Sequence, residues 1–176
     1  MTSQLLDSLV DQFASALAML RGCVAACPDE VWEEHVGELP YWMVAYHTAF
    51  YADLYLSPRL SEYGGQPDWA WPNAAGLGRR MEPPFEALPA EEIGAVLERD
   101  RVVAYLDATL QKLHRELPAE TEASLAGESG FEWYPITRLS MHLVNIRHVQ
   151  HHAGQLCAVL RRHGVAVDWV GTVGER

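Results

Sequence analysis

Residues 5–26 read LLDSLVDQFASALAMLRGCVAA, and in this stretch Leu6, Leu9, Phe13, Leu17, Leu20 and Val24 recur every three or four positions. On a helix that spacing gathers the apolar side chains into one stripe, so the segment is expected to form an amphipathic helix with a buried face. Pro28 breaks the period. Asp29 is then placed to cap a short turn through Trp32, because its carboxylate can accept backbone N–H groups that lack a helical partner.

The same period returns three times. A second helix is expected from about Tyr41, just after Pro40, with the stripe Met43, His47, Phe50 and Leu54, and it ends at Pro58. A third should run from Glu91 to about Glu116, with Ile93, Val96, Leu97, Val103, Leu106, Leu110 and Leu113 turned inward and acidic residues in its first turn. Pro118 closes it. The fourth spans Ile136 to His163 and stops at Gly164, leaving a tail, Val165 to Arg176, that is expected to be irregular. No strand pattern interrupts the series. The expected fold is therefore all-α, a four-helix bundle with long crossover connections, formed by a single domain over residues 1–176 with its core at about 4–164.

Six of the ten prolines fall within residues 57–89, which show no sustained period and so form a long connector. Connectors of this length usually have a task. This one can cross the end of the bundle so that the second and third helices run in the same direction. Its aromatic tip, Trp69-Ala70-Trp71, can either pack onto helix ends or cover a pocket.

Composition narrows the function classes. With 49% hydrophobic and 21% charged residues the 176-residue chain has the make-up of an ordinary folded protein. Its 24 acidic side chains against 13 basic ones leave a formal charge of -11, which repels nucleic acid phosphates and anionic lipid surfaces. No apolar run approaches the roughly 20 residues of a membrane helix, and the N-terminus lacks the basic start of a secretory signal, so a cytoplasmic location is expected. The three cysteines, Cys23, Cys27 and Cys157, show no zinc-type spacing and no disulfide framework, and they are expected to fill core space, an account favoured over a redox role.

Histidines carry the chemical signal. His148 and His152 are four residues apart on the fourth helix and so share a face, with Met141, Gln155, Leu156 and Val159 as wheel neighbours and Arg147 and Arg161 on the far side. Two imidazoles on an apolar face need partners for their ring nitrogens, and a divalent metal satisfies both at once. His47 lies in the apolar stripe of the second helix, where a histidine is unusual without a polar partner. His151 offers an alternative pair with His148 but sits about 60° round the wheel on the polar side, so it is expected in solvent or in a supporting role. His35, His114, His142 and His163 read as surface or packing residues, and Asp53 and Glu132 as carboxylates that could support a ligand.

Two segments, Trp42-Met43-Val44-Ala45-Tyr46-His47-Thr48-Ala49-Phe50-Tyr51 and Arg147-His148-Val149-Gln150-His151-His152-Ala153-Gly154-Gln155-Leu156, resemble the DinB-like family of bacterial four-helix bundles, the DinB/YfiT-like metalloenzymes. Cys27-Pro28-Asp29-Glu30-Val31-Trp32 is similar to that family's close to the first helix. The resemblance runs from the first helix to about Gly164. It implies that His47, His148 and His152 are the ligands of one divalent metal ion, nickel or zinc, and that the protein could form a homodimer. It also implies a small-molecule substrate, with transferases and isomerases that use a low-molecular-weight thiol among the assigned activities.

Three histidine ligands leave a divalent ion with open positions for water or substrate, the arrangement of a catalytic site. There is no His-Glu-x-x-His and no Gly-rich phosphate loop, so neither a zincin-type protease nor a nucleotide enzyme is expected. Catalytic residues beyond the ligands are not indicated. The rival class is a non-enzymatic metal-binding or stress-response bundle, whose ion serves binding or stability.

Overall fold

The computed structural model describes residues 2–173. The chain is mostly helical, and four long helices carry it: α1 (Thr2–Ala25), α3 (Tyr41–Leu56), α4 (Arg99–Glu116) and α6 (Arg138–Arg162). Two short helices, α2 (Asp29–Trp32) and α5 (Glu122–Ala126), lie in the connections. Helix α1 packs against α4 and α6, and α3 packs against the same two. No helix among the described residues is long and apolar enough to cross a membrane.

Helix α1 buries the stripe read from its sequence, with Leu6, Leu9, Phe13, Leu17, Leu20 and Val24 all in the core. An Arg21–Asp107 ion pair ties its exposed flank to α4. Helix α3 differs from a one-sided amphipathic helix, because all its residues except His47, Tyr51 and Asp53 are buried. A helix apolar all round lies between other elements, and the three exceptions mark where α3 turns toward polar partners. Helix α6 starts at Arg138, where the Thr137 side chain accepts the Ser140 N–H and so caps the first turn.

Several sequence expectations are corrected. Asp29 is not a cap; Pro28 holds that position, and the Asp29 carboxylate instead receives the Arg99 guanidinium. Helix α4 begins at Arg99, eight residues after Glu91, and residues 93–98 are irregular. Two indoles explain the delay. Trp71 Nε1 donates to the Ala95 carbonyl at 3.1 Å and Trp32 Nε1 to the Leu97 carbonyl at 2.8 Å, taking acceptors that a helix would have used internally. A Cβ on Gly94 would come within 2.3 Å of the Trp71 ring, so only glycine admits this approach. Ile93 and Val96, expected in the core, are exposed. Along α4 the most buried positions are Val102, Leu106, Thr109 and Leu113, while Val103 and Leu110 flank them half-buried.

A two-stranded antiparallel hairpin, β1 (His35–Val36) and β2 (Leu39–Pro40), precedes α3. Its two-residue turn contains Gly37 at φ 71°, a left-handed conformation that glycine adopts without steric cost. The second connector holds α5, whose start is fixed by a reciprocal capping box between Thr121 and Ser124. Within the long 57–89 connector, the Trp69 ring rests against Tyr46 and Tyr105 at centroid distances of 5.6 and 6.2 Å, and Trp71 stands edge-on to Trp42 at 6.3 Å. The tip is thus packed against α3 and α4. Residues 165–173 contain no regular element, and the last three residues of the tail lie outside the described residues.

Candidate metal centre

The packing of α3 on α6 brings His47, His148 and His152 together. One ring nitrogen from each lies within 4.8 Å of the other two. The ring centroids form a nearly equilateral triangle, with separations of 5.1 Å from His47 to each of the others and 4.7 Å between His148 and His152. All three imidazoles are half-buried. His151, one position before His152, is exposed, as its place on the wheel predicts.

Hydrogen bonds fix the tautomers. A carbonyl only accepts, so His47 Nδ1, at 2.7 Å from the Ala75 carbonyl, carries the proton and leaves a lone pair on Nε2. His152 Nδ1 lies 2.8 Å from Gln155 Oε1, which sets the same tautomer there. The third ring is different. His148 Nε2 stands 3.0 Å from His47 Nε2, while its Nδ1 is buried without a hydrogen-bond partner. With no cation present, His148 has to donate from Nε2 to His47 and keep an unpartnered acceptor on Nδ1. A divalent cation would be held by the Nε2 atoms of His47 and His148. In a tetrahedral zinc site with Zn–N of about 2.0–2.1 Å, ligand nitrogens stand about 3.3 Å apart, close to the His47–His148 spacing. The donor set is therefore chemically suited to a borderline divalent ion.

Burial keeps all three rings neutral. It lowers His148 to about 2, with further lowering from the neighbouring His47 and His152. His47 falls to about 4, burial outweighing the opposing hydrogen bond to Ala75. His152 is also lowered by burial. Neutral imidazole is the form that binds metal, so binding at neutral pH releases no net proton and needs only the His148 proton to move from Nε2 to Nδ1.

Among the described residues no carboxylate or thiolate joins the cluster. Asp53, which the sequence offered as a supporting carboxylate, instead pairs with Lys112 at 2.7 Å and accepts from the Tyr105 hydroxyl at 2.7 Å, joining α3 to α4. Glu132 is exposed. His142, one of the histidines read as surface or packing residues, is fully buried, donating to Glu120 across 3.1 Å beside Arg138, which in turn caps the carbonyls of Tyr55 and Leu56 at the end of α3. A cleft of ≈ 1140 Å³ adjoins this second cluster, and none of the three clustered imidazoles lines it.

Three further residues build the site. Ala75 comes from the long connector, so that segment orients a ring of the cluster. Nothing local in the sequence marks it. Gln155 had a signal, standing three residues after His152 on the same helix face. Tyr51, one turn after His47, places its ring 4.8 Å from His47 and 5.8 Å from His148 and forms one wall.

No curated protein and no solved structure matches the chain. The model of the DinB superfamily matches residues 12–156, a span that contains α3, α4 and all three clustered histidines, and the chain therefore belongs to the DinB superfamily.

Proposed function

We propose that this protein is a four-helix bundle that holds one divalent metal ion, nickel or zinc, through His47, His148 and His152, and that it is a metal-dependent enzyme acting with a low-molecular-weight thiol. The observation that supports this most is the convergence of three neutral, half-buried imidazoles, two with Nδ1 tied back so that Nε2 is free to ligate. When bound, the ion supplies Lewis acidity, by which an incoming thiol or water loses its proton near neutral pH.

The chain's own residues define what else the site can do. The Ala75 carbonyl and Gln155 hold His47 and His152 in orientation, a role whose loss typically lowers metal affinity by about 10–100-fold. Three neutral ligands leave the ion's charge uncompensated, which favours an anionic partner such as a thiolate. Tyr51 supplies an aromatic wall beside the imidazoles. Solvent and substrate reach the cluster from the His152 side, where His151, Gly154 and Gln155 are exposed.

The absence of a carboxylate beside the imidazoles, among the described residues, favours a second reading, a non-enzymatic metal-binding bundle. A thiol-conjugation screen separates the two. Protein loaded with nickel or zinc should turn over thiol with an electrophilic acceptor, and both the chelated protein and His152→Ala should not. Stoichiometric metal binding with no turnover for any thiol tested would favour the binding module.

A further inference from the structure

Cys23 and Cys157 are 134 positions apart in the chain, yet their Sγ atoms lie 2.9 Å from one another where α1 packs on α6. That is less than an ångström longer than a disulfide bond of about 2.05 Å, so the two sulfurs already stand within reach of each other. Cys23 is fully buried and its Sγ also faces the Ala153 carbonyl at 3.7 Å, while Cys157 is buried less completely, with 7% of its area exposed. Cys27 provides an internal contrast. It lies one turn from Cys23 and is equally buried, but its thiol is directed at the Pro28 carbonyl, 3.5 Å away, and meets no sulfur.

We propose that Cys23 and Cys157 are a redox-active pair that a small peroxide converts to a disulfide, cross-linking α1 to α6 beneath the turn that carries His152. The order of events follows from access. Cys157, the less completely buried of the two, attacks the peroxide oxygen; an S–O bond forms, the O–O bond breaks, and the displaced hydroxide takes the Cys157 thiol proton and leaves as one water. Cys23 Sγ then attacks the Cys157 sulfur; the S–S bond forms, the S–O bond breaks, and the displaced hydroxide leaves as a second water with the Cys23 proton. Two thiols lose two electrons in total, and hydrogen peroxide is reduced to two waters. Burial holds the Cys23 thiol well above its ordinary value, consistent with its acting second. The pair needs no metal, so its behaviour is independent of the ion at the imidazoles.

Reduced full-length protein is titrated with hydrogen peroxide, denatured, and its free thiols are counted. The count should fall from three to one with a mass loss of two hydrogens, and a proteolytic digest should link the Cys23 peptide to the Cys157 peptide. Dithiothreitol should restore three. Cys27→Ser should still lose two thiols, whereas Cys23→Ala and Cys157→Ala should form no link. Closing so long a loop should raise the melting temperature on the order of 10 °C. A count that stays at three, a bond involving Cys27 or a second chain, or oxygen added to Cys157 with no S–S bond would each overturn the proposal.

Discussion

Replacing His148 with leucine separates a side chain kept for metal from one kept for stability. In the metal-free protein the buried Nδ1 of His148 has no partner, and such an orphan costs about 1–3 kcal/mol. The substitution removes that cost and adds an apolar group beside the Tyr51 ring. Against this, His47 Nε2 loses its contact with His148 at 3.0 Å, worth about 0.5–1.5 kcal/mol, part of which water restores because His47 is only half-buried. The balance predicts that chelated His148→Leu is more stable than chelated wild type by about 1 kcal/mol, a rise in melting temperature of about 2–4 °C. Urea and thermal denaturation followed by circular dichroism, both in excess chelator, measure it, and metal titration of the same variant should show binding lost. A chelated variant less stable than the chelated wild type by 1 kcal/mol or more would refute the reasoning, because His148 would then be holding the fold together.

The remaining expectations concern face, charge and metal removal. His151→Ala should leave metal content nearly unchanged while His152→Ala lowers affinity more than tenfold, since His151 is exposed and outside the triangle; equal losses by isothermal titration would mean the wrong helix face ligates. Glu120 is held down to about 2, because hydrogen bonds from His142, Arg138 and Ser124 together outweigh the upward push of burial. A depressed carboxyl contributes stability that is present above the unfolded value near 4.3 and is lost as pH falls toward the folded one. The wild-type melting temperature should therefore drop between about pH 5 and pH 2, and Glu120→Gln should be less stable at neutral pH with a shallower acid limb; an unchanged limb would contradict the assignment. Chelation should leave the helical circular dichroism intact at room temperature while lowering the melting temperature, because α1 and α4 bury their stripes without supplying a ligand, each large aliphatic side chain contributing roughly 1.5–3 kcal/mol. Loss of helicity on chelation would make the ion structural.

What was legible in the sequence was what depends on spacing. Leu6 to Val24 declared α1, and His148 and His152, four apart with His47 in an apolar stripe, declared a cluster that the packing of α3 on α6 assembles. What escaped depends on tertiary partners. Ile93, Val96 and Leu97 have helical spacing, but Trp32 and Trp71 take the carbonyls at 95 and 97 that a helix would need. Ala75 carries no side-chain signal for a backbone carbonyl that orients His47, and the 134-residue gap between Cys23 and Cys157 hides their contact. The spacing left His142 open between a surface and a packing residue because its partner, Glu120, comes from the connector before α5.

The central claim is tested most directly by metal analysis of protein purified without an affinity tag or added metal, followed by titration of the chelated protein with nickel and with zinc. The account predicts close to one divalent ion per chain, with the His47, His148 and His152 substitutions each abolishing tight binding. Protein recovered without metal that also fails to bind either ion on titration would contradict it.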